Sequence, residues 1–261
     1  MMWQNLLFSA LAALAVVLVA FAVGASRDLH RVVDVAWGLG FAAIAVTTYV
    51  LSAGHGDPVR RGLVTALTVI WGVRLAAHIA WRGRGHGEDP RYEKLLSRAT
   101  GSRTWYALRM VYLLQAAVML FISLPVQFAQ YDAAPPDWWL APGVALWAVG
   151  LFFEAVGDAQ LVRFTADPAN RGKVLDTGLW RYTRHPNYFG DTCVWWGLWL
   201  LAAAGGWAGA ATVLSPLLMT WLLVARTGKP LLEAGLVRRR PGYGAYIDRT
   251  SGFIPLPPRR R

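Results

Sequence analysis

Residues 4–25 read QNLLFSALAALAVVLVAFAVGA, twenty-two consecutive positions without a charged side chain. A bilayer core about 30 Å thick needs roughly 20 mostly apolar residues in a spanning helix. The stretch satisfies that length. It has no basic segment before it, and no small-x-small cleavage site leads from it into a soluble domain, so it reads as a retained helix rather than a signal peptide. Working outward, six further stretches qualify, and the expected set is 4–25, 32–53, 62–81, 105–128, 138–162, 187–204 and 207–226. Composition agrees. Of 261 residues 56% are hydrophobic and only 16% charged, against about 25% charged in a soluble domain. The predicted fold is an all-α integral membrane bundle of about seven transmembrane helices, forming a single membrane domain over 1–261.

The formal charge of +11 would suggest nucleic acid on a soluble domain. Here it is distributed by loop. Arg27 and Arg31 follow the first stretch, Arg82, Arg84, Arg91, Lys94, Arg98 and Arg103 the third, and Arg163, Arg171, Lys173, Arg181 and Arg184 the fifth. The tail after 226 carries Lys229, Arg238 to Arg240, Arg249 and Arg259 to Arg261. The alternate loops hold little that is basic beyond Arg60 and Arg61, and 129–137 carries Asp132 and Asp137. Lys and Arg excess marks the cytoplasmic side, so the N-terminus is expected outside and the C-terminus in the cytoplasm. The charge is then a topological signature, and no nucleic-acid partner is expected. The segment 227–261 is too short for a separate domain. Its Pro and Gly residues read as turns rather than a long helix, packed against cytoplasmic helix ends.

Ionisable groups within a span cost about 2.5–3.5 kcal/mol each on insertion scales and mark functional positions by default. Asp34 opens the second stretch, Arg74 and His78 share a face of the third, and Glu154 and Asp158 share a face of the fifth. The run Gly178-Leu-Trp-Arg-Tyr-Thr-Arg-His-Pro-Asn-Tyr-Phe-Gly-Asp191 is the most informative. Pro186 suits the first turn of a helix, whose N-terminus attracts anions. Asn187 and Asp191 project from one face of that start, while Tyr182, Arg184 and His185 precede it. Such a set suits a phosphate-bearing cofactor. A second basic cluster, Arg82-Gly-Arg-Gly-His-Gly-Glu-Asp-Pro-Arg-Tyr92, has glycine-spaced arginines but is also what a flexible loop looks like. No G-x-G-x-x-G fingerprint is present, and the five histidines lack metal-ligand spacing, so no metal is expected. Cys193, the single cysteine, reads as a small packing residue.

The run Trp180 to Asp191 is similar to a signature of bacterial membrane proteins of the steroid 5α-reductase superfamily. So are Asp34-x-x-Trp-Gly38, Glu88-Asp-x-Arg-Tyr92, Ser215-Pro216, Gly228-x-Pro-Leu-Leu-Glu233 and Gly242-Tyr-x-x-Tyr-x-x-x-Thr-x-x-Phe-Ile-Pro255. The resemblance implies a seven-helix bundle in the bacterial inner membrane that binds NADPH from the cytosol. It would reduce a C=C bond of a lipid-like or steroid-like substrate entering from the membrane. It matches Asp158, Arg163, Asn187, Tyr188 and Asp191 to cofactor contacts, with Arg74, His78 and Arg84 as counterparts on the third helix. Lys173, Tyr182, Arg184, His185 and Tyr246 complete the expected cofactor set. Asp34 and Tyr92 are the expected catalytic residues, with Tyr92, His78 or water as proton donor. Two departures matter: Trp71 stands where the steroid reductases have a carbonyl-holding tyrosine, and Asp191 replaces a glutamate. Isoprenylcysteine and phospholipid methyltransferases carry a similar Arg-His-Pro-x-Tyr element. A methyltransferase using S-adenosylmethionine, or a lipid-binding protein without chemistry, are therefore the competing readings. A transporter would place its polar residues nearer the midplane.

Overall fold

The computed structural model describes residues 1–135, 138–226 and 228–259, the side chain of Leu231 excepted. Asp137, Arg260 and Arg261 lie outside the described residues. Every regular element described is helical: α1 Met2–Arg27, α2 Val32–Leu51, α3 Pro58–Arg82, α4 Pro90–Leu96, α5 Arg103–Ile122, α6 Leu124–Tyr131, α7 Leu140–Ala166, α8 Pro186–Ala203, α9 Trp207–Arg226, α10 Lys229–Arg239 and α11 Tyr243–Arg249. Six described helices, α1, α2, α3, α5, α7 and α9, are long and apolar enough to cross a membrane. The protein is an all-α integral membrane protein. The expected seventh span corresponds to α8, whose 18 residues include Asn187, Asp191, Trp195, Trp196 and Trp199 and fall outside that set.

Local chemistry explains the boundaries. Asp57 caps α3, accepting from the Arg60 N–H at 2.8 Å, with Pro58 at the first helical position. Asp89 and Pro90 repeat the device at α4. The expected helix 105–128 is divided instead. It ends at Ile122, and α6 resumes across Ser123, because Pro125 has no N–H to continue the ladder. Within α5 the residues Leu108–Leu113 form a π-helical turn. In the tail, two short helices replace the expected run of turns. They part at Gly242, whose φ of 85° favours a residue without Cβ. Trp3, Trp81, Trp105 and Trp207 are exposed near the ends of α1, α3, α5 and α9, where an interfacial aromatic gains most.

The chain packs as two compact units, Met1–Trp138 with Leu201–Ser215, and Trp139–Leu200 with Pro216–Arg261. In the first, α2 and α3 meet backbone to backbone. A methyl group on Gly38 would sit 2.2 Å from the Gly72 carbonyl oxygen, and one on Gly72 2.4 Å from that of Gly38. Trp71 is fully buried beside this contact, edge-on to Phe41 at 5.6 Å. Buried polar groups pair: Asn5 donates to Gln127 at 2.9 Å, Ser9 meets Thr48 at 3.3 Å, and the fully buried Arg60 lies 2.9 Å from Asp132. In the second unit, Gly143, Gly150 and Gly157 recur every two turns of α7 and lie against Gly197, Gly190 and Pro186 of α8. A methyl group on Gly190 would meet the Gly150 carbonyl oxygen at 2.5 Å. These glycines bring Glu154 and Asp158 into the buried face of α7.

Candidate functional site

In the first unit Asp34 lies in the first turn of α2 and Tyr92 in the short helix α4. The Tyr92 hydroxyl donates to Asp34 Oδ1, and Arg91 Nη2 donates to Oδ2 at 3.0 Å. Arg91 also reaches Asp89 through Nε and Nη2, each at 3.0 Å. Two hydrogen-bond donors, a phenol and a guanidinium, thus converge on the two oxygens of one carboxyl group. Tyr92 is buried, and burial, then the negative charge of Asp34, pushes its phenol well above the usual range; Arg91 opposes and Gln115 hydrogen-bonds to the ring oxygen. Tyr92 is thus a neutral O–H donor. Glu88 accepts from the backbone N–H groups of His30, Arg31 and Asp89. His30 Nδ1 in turn sits 3.1 Å from the Tyr112 hydroxyl. Burial lowers the His30 imidazole against the pull of Glu88 and Asp28.

The remaining expected residues of this unit lie on α3 and the loop that follows. Arg74 and His78 are half-buried on α3, and Arg84 is exposed beyond it. The Trp71 indole, where the resemblance asks for a tyrosine, is buried against Phe41. The phenol beside Asp34 comes instead from α4.

In the second unit the tail folds onto the segment before α8. Arg184 Nε donates to Glu233 Oε1 at 2.8 Å, its Nη2 to Oε2 at 3.3 Å, and its Nη1 to the carbonyls of Ile247 and Thr250 at 3.1 and 2.5 Å. His185 Nε2 lies 2.9 Å from Glu233 Oε1, and its ring stacks on Tyr188 at 5.2 Å. Burial tends to raise the Glu233 carboxyl, but the His185 and Arg184 hydrogen bonds and the Arg184 charge outweigh it and hold it at about 2. Thr183 Oγ1 donates to the Phe253 carbonyl at 2.8 Å, and Tyr246, buried, donates its hydroxyl to the Trp180 carbonyl at 2.5 Å. Asn187, Tyr188 and Asp191 are half-buried in the first turns of α8, and Asp158 is buried on α7. Arg163, Lys173 and Tyr182 are exposed.

This unit therefore gathers Tyr182, Arg184, His185, Asn187, Tyr188 and Tyr246 about one helix start, and divides their work. Arg184, His185 and Tyr246 fasten the tail, whereas Arg163, Lys173 and Tyr182 face solvent. Sequence reasoning gave no role to Glu88, Arg91, Gln115 or Glu233. Glu88, Arg91 and Glu233 all lie within the motifs that carry the resemblance. Glu233 is one of only two acids in the strongly basic tail, which is a signal for a fixed partner.

These features define a helical membrane protein with a carboxylate–phenol pair at the edge of a span and a basic, tail-covered helix start. The chain belongs to the family described as "Protein of unknown function (DUF1295)", whose model matches residues 20–250. A stretch of 68 residues is 40% identical to the "Probable O-methyltransferase ustE" of Ustilaginoidea virens. That match covers 26% of this chain and 23% of the relative, so the likeness spans under a quarter of that protein's length. No solved structure matches the chain.

Proposed function

We propose that the protein is an NADPH-dependent membrane reductase of the steroid 5α-reductase type, acting in the bacterial inner membrane. It adds hydride to a C=C bond conjugated to the carbonyl of a lipid-like or steroid-like substrate. The observation that carries this reading is the Tyr92–Asp34–Arg91 arrangement. Addition beside a carbonyl builds negative charge on its oxygen, and a fixed O–H donor stabilises that charge. Tyr92 is such a donor: Asp34 and Arg91 hold it, and burial with the Asp34 charge keeps it neutral. Rotation about the phenol C–O bond turns its proton from Asp34 toward a carbonyl oxygen. This supplies the hydroxyl that the buried Trp71 lacks.

The second unit fits a phosphorylated dinucleotide. Its exposed Arg163 and Lys173 suit pyrophosphate and the 2′-phosphate, and the start of α8 favours anions. Asn187 and Asp158 offer amide and carboxylate groups to ribose and nicotinamide. Arg184 and His185, engaged by Glu233, shape the wall rather than neutralise phosphate. Bound NADPH would supply the hydride; the chain orients it, holds the carbonyl and gives the proton.

A second reading is supported by the local likeness to an O-methyltransferase. A methyltransferase would use S-adenosylmethionine, whose cationic sulfonium needs no ring of arginines. Calorimetric titration of the full chain in detergent separates the two. NADPH should bind and S-adenosylmethionine should not, and Tyr92→Phe should keep the NADPH affinity. The same variant should lower enone reduction roughly 100-fold, the scale of a lost general acid. Binding of S-adenosylmethionine without NADPH would overturn the reductase reading.

A further inference from the structure

Glu88 joins two chain segments that are far apart in sequence. Its Oε1 accepts from Arg31 N at 2.9 Å and from Asp89 N at 2.9 Å, and its Oε2 accepts from His30 N. His30 and Arg31 immediately precede α2, and Arg31 is its N-cap; Asp89 is the N-cap of α4. A helix start leaves its first N–H groups without intrahelical partners and carries partial positive charge, so a carboxylate there is doubly favoured. One side chain thus serves both helix starts. Asp34 lies in the first turn beyond one of them and Tyr92 in the first turn beyond the other. Arg31 Nη1, donating to the Gly87 carbonyl at 2.9 Å, fastens the same loop from the opposite direction.

We propose that Glu88 is the positioning residue of the Asp34–Tyr92 pair: by bridging the N-termini of α2 and α4 it fixes the distance and angle at which the phenol meets the carboxylate. Glu88 touches neither Asp34 nor Tyr92 and acts through the two helix starts. The glycines before it, Gly83, Gly85 and Gly87, leave the approach free of side chains, and Gly85 has a φ of 73° that suits the bend. The Glu88-Asp-x-Arg-Tyr92 block is then one device. Glu88 sets the two helices, Asp89 caps α4 and orients Arg91, and Arg91 and Tyr92 occupy the two oxygens of Asp34. Gln in place of Glu88 presents one acceptor oxygen and turns an N–H toward backbone N–H groups that need an acceptor.

The role rests on the reductase reading only for its purpose, and its test needs no turnover. The groups that face Tyr92 are Asp34 on α2, Arg91 on α4 and Gln115 on α5. In full-length protein carrying ¹³Cζ-tyrosine, the Tyr92 resonance, assigned with Tyr92→Phe, should stay in the phenol form well above the ordinary tyrosine range. Glu88→Gln should let it ionise closer to the ordinary tyrosine value of about 10, and Glu88→Asp, which keeps the charge but cannot span both helix starts, should do so in part. Asp57→Ala, which removes a cap from α3, should cost comparable thermal stability and leave the Tyr92 titration unmoved. An unchanged Tyr92 titration in folded Glu88→Asp would overturn the proposal, whatever the activity. The expected titration shift in a protein that shows no NADPH-dependent turnover would overturn the reductase reading and leave Glu88 its role.

Discussion

Replacing Glu233 by glutamine should loosen the tail by an amount that depends on pH. The Glu233 carboxylate takes three hydrogen bonds from Arg184 and His185, at 2.8, 3.3 and 2.9 Å, and its side chain is 15% exposed. Its folded pKa falls from the ordinary 4.5 to about 2. Taken whole, that drop corresponds to about 3 kcal/mol; solvent reaching the pair reduces it to about 1–2 kcal/mol. Because the folded value is depressed, the contribution is complete above the unfolded value of 4.5 and is lost as pH falls toward 2. Less than about half survives at pH 3. Hydrogen–deuterium exchange reads the opening directly, since α10 carries Glu233 and this cluster ties it to the segment before α8. Peptides covering 229–239 should exchange roughly 5–30-fold faster in Glu233→Gln than in the native chain at pH 7. After correction for intrinsic exchange, that gap should narrow steadily between pH 5 and about pH 3. Equal protection in both proteins, or a gap that ignores pH, would refute the assignment of Glu233 as the ionised clamp of the tail.

Two further outcomes test the fold and its orientation. Gly38→Val should push α2 off α3, because even a methyl group there meets the Gly72 carbonyl oxygen at 2.2 Å; the cost of about 1–3 kcal/mol should appear as lower thermal stability in detergent, with Gly62→Val, where the space is open, as control. In a Cys193→Ala background, a cysteine at His55 should react with an impermeant maleimide on intact cells, and one at His86 only after lysis, as the loop charges require.

The apolar stretches were legible because lipid imposes a single length rule, and each of the seven corresponds to helix in the structure. Boundaries were less so. The apolar run 105–128 hides the break at Ser123, since hydropathy is blind to the missing N–H of Pro125. The tail's glycines read as turns, yet its two short helices persist because Arg184, Thr183 and Trp180 hold them from the preceding segment, a long-range effect invisible to local pattern. At the candidate site the residue types were readable and their duties were not. Asp34 and Tyr92, 58 positions apart, meet through contacts between segments distant in sequence, among them the Glu88 carboxylate shared by the starts of α2 and α4.

That distinction changes how the charge of the chain is interpreted. A basic loop beside a cofactor site invites every arginine to be counted toward phosphate, and the sequence offers +11 to distribute. In the folded protein several arginines already have fixed anionic or carbonyl partners: Arg60 with Asp132, Arg91 with Asp34 and Asp89, Arg184 with Glu233, and Arg249 with Asp176. The Arg60 and Arg184 pairs are largely desolvated, so removing one charge there leaves the other costly. Neutralising Arg60 or Arg184 should loosen local structure before it reports on any ligand. On the proposed reading, loss of Arg163 or Lys173, which face solvent, should weaken a phosphorylated ligand without disturbing the fold. A mutational scan that pooled both groups would mistake architecture for binding.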